Sequence, residues 1–114
     1  MPRKKLLDVI IEAAEDKLAR DIKTLDVARQ PSLWDVQLLM TADSEPQIRA
    51  IVDEITERLA KVKDFPAVKA EGVVNSGWVI LDIGAILVHI LLPTIRAHYS
   101  LEDIWKQSGV IFHY

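Results

Sequence analysis

Apolar residues recur at Leu7, Ile10, Ile11, Ala14 and Leu18 with charged residues between them, the spacing of an amphipathic helix over residues 5–20. Thr24-Leu25-Asp26-Val27 reads as a short strand, and Pro31-Ser32 marks a turn. Trp34 to Thr41 follows as a second strand with a continuous apolar centre, Leu38-Leu39-Met40. Ser44 to Gln47 then fits an S-x-x-Q capping box with Pro46 inside the first turn. Behind it Ile48, Ile51, Val52, Ile55, Leu59 and Val62 form one stripe at helical spacing, which Asp64-Phe65-Pro66 ends. A short strand is expected over Val68 to Val73.

Trp78 to Ile83 and Ile86 to Leu91 are β-rich runs joined by Gly84-Ala85, a two-residue loop with glycine first, as a type II′ turn prefers. After Pro93 the pattern turns helical through Ile95, Arg96 and Tyr99, and Ser100-Leu101-Glu102-Asp103 resembles a second capping box opening a short helix through Trp105. The order α-β-β-α-β-β-β-α predicts one α/β (α+β) domain over residues 1–114, a small mixed sheet of about five strands with helices packed on it.

The hairpin loop fixes the strand faces. Ile83 is set opposite Ile86, Asp82 opposite Leu87 and Ile80 opposite His89. One face then carries Val79, Leu81, Ile83, Ile86, Val88 and Ile90, all aliphatic, and must be core. The other carries Trp78, Ile80, Asp82, Leu87, His89 and Leu91. This mixed face has two readings. Either a helix or loop covers it and Asp82 meets His89 across the diagonal within the fold, or it is a docking face with Trp78 as anchor.

Composition narrows the function classes. The 114 residues are half hydrophobic, enough for one core, and carry 14 basic against 17 acidic residues, a net charge of -3. Nucleic-acid affinity comes mostly from clustered Lys and Arg, so no direct nucleic-acid site is expected. There is no cysteine, which excludes disulfides, thiol nucleophiles and Cys-ligated zinc. The longest apolar stretch, Val79 to Leu92, contains Asp82 and His89 and is too short to span a bilayer, so a soluble cytoplasmic protein is expected. His89, His98 and His113 form no H-E-x-x-H pattern, and the glycines at 72, 77, 84 and 109 write neither a P-loop nor a G-x-G-x-x-G. Asp43-Ser44-Glu45 straddles a helix start, where capping explains it better than metal binding. We therefore expect no metal, no cofactor and no catalysis.

Taken together, Trp78-Val79-Ile80-Leu81-Asp82-Ile83-Gly84, Val88-His89-Ile90, then Arg96, Tyr99, Leu101-Glu102 and Trp105 closely resemble the signature of the ribosomal silencing factors, the RsfS or Iojap family. Leu25-Asp26-Val27, Asp35 and Gln47-Ile48-Arg49-Ala50-Ile51 also fall where that family has similar residues. The resemblance implies a nucleotidyltransferase-like fold without catalytic residues and the formation of homodimers. It also implies a non-enzymatic function: binding the large ribosomal subunit through large-subunit protein fourteen, which sterically blocks subunit joining and represses translation. With such a function implied, the docking surface is expected on Trp78, Ile80, Asp82 and His89, joined by Tyr99 and Glu102 from the family's C-terminal motif. An acidic chain suits a basic ribosomal protein as partner. The chain departs from the pattern at Val36-Gln37, at Thr41-Ala42-Asp43 and at Ile83 and Ala85 beside the hairpin turn. Two rival readings are a degenerate nucleotidyltransferase that still binds a nucleotide, and a homodimerising scaffold using the same hairpin face.

Overall fold

The computed structural model describes residues 3–26, 36–62, 68–73, 76–84, 86–99 and 110–113. The elements run α1 (Arg3–Asp16), β1 (Arg20–Asp26), β2 (Val36–Thr41), α2 (Glu45–Ala60), β3 (Lys69–Val73), β4 (Trp78–Ile83), β5 (Ile86–Leu91), α3 (Pro93–Tyr99) and β6 (Val110–His113). They form a mixed sheet in the order β3-β4-β5-β2-β1-β6. Six strands replace the expected count of about five. The added one is β6, which pairs antiparallel with β1 and lies in a segment with no strand signal beyond the three β-prone residues Val110, Ile111 and Phe112. The capping box at Ser100 and the helix through Trp105 fall outside the described residues, as do Trp34, Asp35 and Asp64 to Pro66.

The hairpin register is the one the loop length dictates: Ile83 pairs with Ile86, Asp82 with Leu87 and Ile80 with His89. Gly84 supplies the positive φ, +64°, that a primed turn needs at its first central position. Strands β2 and β5 pair in parallel, the one parallel junction among the described strands, and the crossover between them carries α2, β3 and β4.

All six residues of the aliphatic hairpin face are buried, together with Val36, Leu38 and Met40 of β2. Helices α1 and α2 cover them, contributing Leu6, Ile10, Ile11, Ala13 and Ala14 from one and Ile48, Ile51, Ile55 and Leu59 from the other. Each such large side chain contributes roughly 1.5–3 kcal/mol on leaving water, so packing rather than intrinsic propensity holds the helix layer.

One glutamine caps the start of α2 and the end of α1. Ser44, extended at φ -155°, accepts a hydrogen bond from Gln47 N, and Gln47 Oε1 accepts from Asp43 N at 2.7 Å. The amide of the same side chain donates to Lys17 O at 3.0 Å and Leu18 O at 2.9 Å, the orphan carbonyls at the end of α1. That end is a Schellman turn, with Ala19 N bonded to Ala14 O and Leu18 N to Glu15 O. It overturns one sequence expectation. Leu18 was placed on the buried stripe of α1, but the helix stops at Asp16 and the turn puts Leu18 in the left-handed region, φ 65°, with its side chain 75% exposed. Arg58 adds an ion pair from α2 to Asp16, and it bonds Glu54 at 2.7 Å.

Candidate functional site

The opposite sheet face carries the site. Its centre is a small apolar cluster, Leu25, Leu39 and Leu91, against which Trp78 and Ile95 of α3 pack. Helix α3 is thus on the side of the sheet away from α1 and α2. Gly77 makes the approach of α3 feasible. A Cβ on it would lie 3.0 Å from both Ile95 Cγ1 and Leu92 Cδ1, and its φ of +81° disfavours any side chain. The Leu92 amide bonds Gly77 O at 2.9 Å, tying the start of α3 to the residue before Trp78.

Beside this cluster a polar relay crosses three strands. Trp78 Nε1 on β4 donates to His89 Nδ1 on β5 at 3.2 Å, and His89 Nε2 lies 2.9 Å from Gln37 Oε1 on β2. An indole can only donate, so Nδ1 is an acceptor and the proton sits on Nε2, donated to Gln37. This is a neutral histidine with a fixed tautomer. Burial supports the same state, since at 3% exposure it pushes the imidazole from 6.5 down to about 4. Of the two sequence readings of this face, the one that keeps His89 within the fold gave it Asp82 as partner, whereas its ring nitrogens meet Trp78 and Gln37. Gln37 carried a readable signal, because a polar residue in the run Val36 to Met40 needs a buried partner.

The predicted site residues separate by depth. Trp78, Ile80 and Asp82 are half-buried along β4, with Leu87 beside them on β5. His89 lies beneath, so it acts on this surface through the indole that it holds. Tyr99 is the last residue of α3, and Glu102 falls outside the described residues.

Nothing here forms a proton-transfer dyad open to substrate, because both ring nitrogens of His89 are engaged inside the sheet. Among the described residues no three His, Asp or Glu side chains gather to hold a metal ion, and no helix is long and apolar enough to cross a membrane. The Thr41–Ser44 turn, where the nucleotide-binding rival needs free cations, brings up a cation that sequence spacing did not reveal. Arg20 reaches it from β1, but its guanidinium grips both Asp43 carboxylate oxygens, through Nε at 2.9 Å and through Nη2. That hydrogen bonding holds the Asp43 carboxyl below the usual carboxylate range. The helix start is therefore lined with carboxylates, Asp43 and Glu45, which disfavour a phosphate there.

Comparison with known proteins agrees with this geometry. A family profile described as "Ribosomal silencing factor during starvation" matches residues 2–112. The ribosomal silencing factor RsfS of Chromobacterium violaceum is 35% identical over 95 residues, 83% of this chain and 77% of that protein. The RsfS of Bacillus subtilis is 32% identical over 108 residues, 95% of this chain and 91% of that protein. A crystal structure of a protein from Chromobacterium violaceum superposes with a TM-score of 0.85 at 31% identity, covering 93% of this chain and 88% of the other. The profile match spans nearly all of the sequence, and the chain belongs to the ribosomal silencing factor family.

Proposed function

We propose that this protein is a ribosome-associated regulator of translation that works by docking rather than by catalysis. In this reading it binds the large ribosomal subunit through large-subunit protein fourteen, in the cytoplasm, and its bulk keeps the small subunit from joining. The docking surface comprises Trp78, Ile80 and Asp82 with Leu87, supported from below by His89, and the family resemblance adds Tyr99 and Glu102 to the binding residues.

The observation that carries the proposal is the asymmetry of the sheet. One face is sealed by two helices, whereas on the other the β4–β5 flank keeps a tryptophan, two aliphatics and an acid half-exposed. An aromatic anchor among aliphatic neighbours, its ring held by an internal hydrogen bond, is pre-organised for a protein partner. The net charge of -3 suits a basic ribosomal protein and disfavours rRNA. A second copy of the chain could use the same flank, and a homodimer formed this way would compete with the ribosome.

Co-sedimentation of the purified protein with separated subunits, with and without Trp78→Ala, tests this reading. Retention on the large subunit alone, fewer joined ribosomes and loss of both on mutation are expected. Retention of neither subunit would leave the homodimeric scaffold as the better reading, and binding unchanged by Trp78→Ala would move the dock elsewhere.

A further inference from the structure

Helix α3 has only seven residues, too few to hold an orientation by its own hydrogen bonds. Its direction is set by what it touches, and the apolar contacts of Ile95 allow it to slide and rotate. Beside the bond from Leu92 N to Gly77 O at its start, a second directional tie comes from a buried side chain. Arg96 is 9% exposed, and its Nη1 donates to Asp21 O at 2.7 Å and to Thr41 Oγ1 at 2.8 Å.

The acceptor carbonyl exists because β1 is irregular. The pairing passes from Arg20↔Thr41 to Lys23↔Leu39, so two residues of β1 oppose one of β2. Asp21 sits in this bulge at φ 50°, a left-handed conformation that aspartate tolerates better than most residues. The bulge frees the Asp21 carbonyl from the ladder for Arg96. Thr41, at 2% exposure, supplies the second acceptor from the end of β2.

The row at this end of the sheet runs Trp78, Leu91, Thr41, Arg20 across four paired strands. Arg96 therefore fixes α3 to the same row that presents Trp78. Ile95, its neighbour, packs with Trp78 on the small cluster, and Tyr99 follows one turn later.

We propose that Arg96 is a positioning residue for docking, using the β1 bulge and Thr41 to hold α3 so that Trp78 and the end of α3 meet the partner as one rigid surface. This rests on the docking reading above.

The test compares Arg96→Met, Arg96→Lys and Thr41→Val with the parent for affinity to the large subunit. The Trp78 indole N–H resonance in a 15N spectrum is followed alongside. Arg96→Met is expected to remain folded, to shift that resonance and to weaken binding about tenfold, the effect of losing a buried charged hydrogen-bonding group. Arg96→Lys, which can still reach one acceptor, should recover part of the affinity, and Thr41→Val should lose less than Arg96→Met.

Wild-type affinity in a folded Arg96→Met protein would overturn the inference. If Arg96→Met fails to fold, wild-type affinity in both Thr41→Val and Arg96→Lys would overturn it instead. Trp78→Ala serves as the control. Its loss of binding alongside an unaffected Arg96→Met sinks this inference alone, whereas its failure to weaken binding sinks the docking reading too.

Discussion

Protonation of His89 should cost the fold measurable stability over a defined pH range. The folded imidazole titrates at about 4, against 6.5 when free of its surroundings. A histidine whose folded pKa is depressed binds its proton more readily in the unfolded chain, so stability is lost as pH falls. The loss begins near the unfolded value and levels off below the folded one. Linkage gives a loss of about 1 kcal/mol by pH 5.5 and about 3 kcal/mol by pH 4. The geometry gives the same sign, because a protonated Nδ1 becomes a donor facing the Trp78 N–H, itself a donor. Urea denaturation at pH 7, 5.5 and 4 measures the effect, with His89→Gln as reference. Asp43, held low by its hydrogen bond from Arg20, also weakens the acidic fold, but it does so in both proteins and cancels in the comparison. The variant should start less stable and fall less steeply. Parallel pH profiles for the two proteins would refute the reasoning, since the burial of a neutral His89 would then carry no linkage.

Three further substitutions probe the scaffold. Gln47→Glu keeps the acceptor for Asp43 N but loses both donors to the end of α1 and sets a carboxylate against two carbonyls, and should cost about 2 kcal/mol in urea denaturation. Leu18→Gly relieves a left-handed leucine at the end of α1, and should stabilise the fold by about 1 kcal/mol in thermal unfolding. Gly77→Ala forces a methyl to within 3.0 Å of Ile95 and Leu92 at a positive φ, and should cost about 2 kcal/mol while shifting the Trp78 indole resonance.

The strand faces were legible in the sequence because side-chain alternation and a two-residue loop leave the hairpin a single register. The stripe of α2 was legible for the same reason, with Ile48, Ile51, Ile55 and Leu59 buried at helical spacing and Ser44 capping it. What escaped were the contacts that depend on strand order. Gln37 lies 52 residues from His89, and Arg96 lies 75 from Asp21. No local pattern announces a partner at that range. Leu18 escaped because helical spacing says nothing of where a helix stops, and nothing in a leucine warns that its own backbone turns left-handed. The chemistry of the proposed docking face was half legible. Its residues were identified from alternation and resemblance, yet the depth of His89 follows from the neighbouring β2, which only the parallel pairing supplies.

That parallel pairing also has a consequence for how the chain finds its shape. On one side of the junction β3, β4 and β5 form an antiparallel meander of short sequence separation, and on the other β1 and β2 pair antiparallel. Each set can assemble from near neighbours, with β6 added to β1 from far along the chain, but β2 and β5 meet only after the chain has closed a loop through α2, β3 and β4. Closing long loops is the slow part of folding. The sheet is thus expected to condense as two halves that join late, and the hydrogen bond between Gln37 and His89 lies across that join. Substitutions at Gln37 should then speed unfolding while leaving the folding rate nearly unchanged, whereas substitutions at Leu81 or Val88 within the meander should slow folding itself.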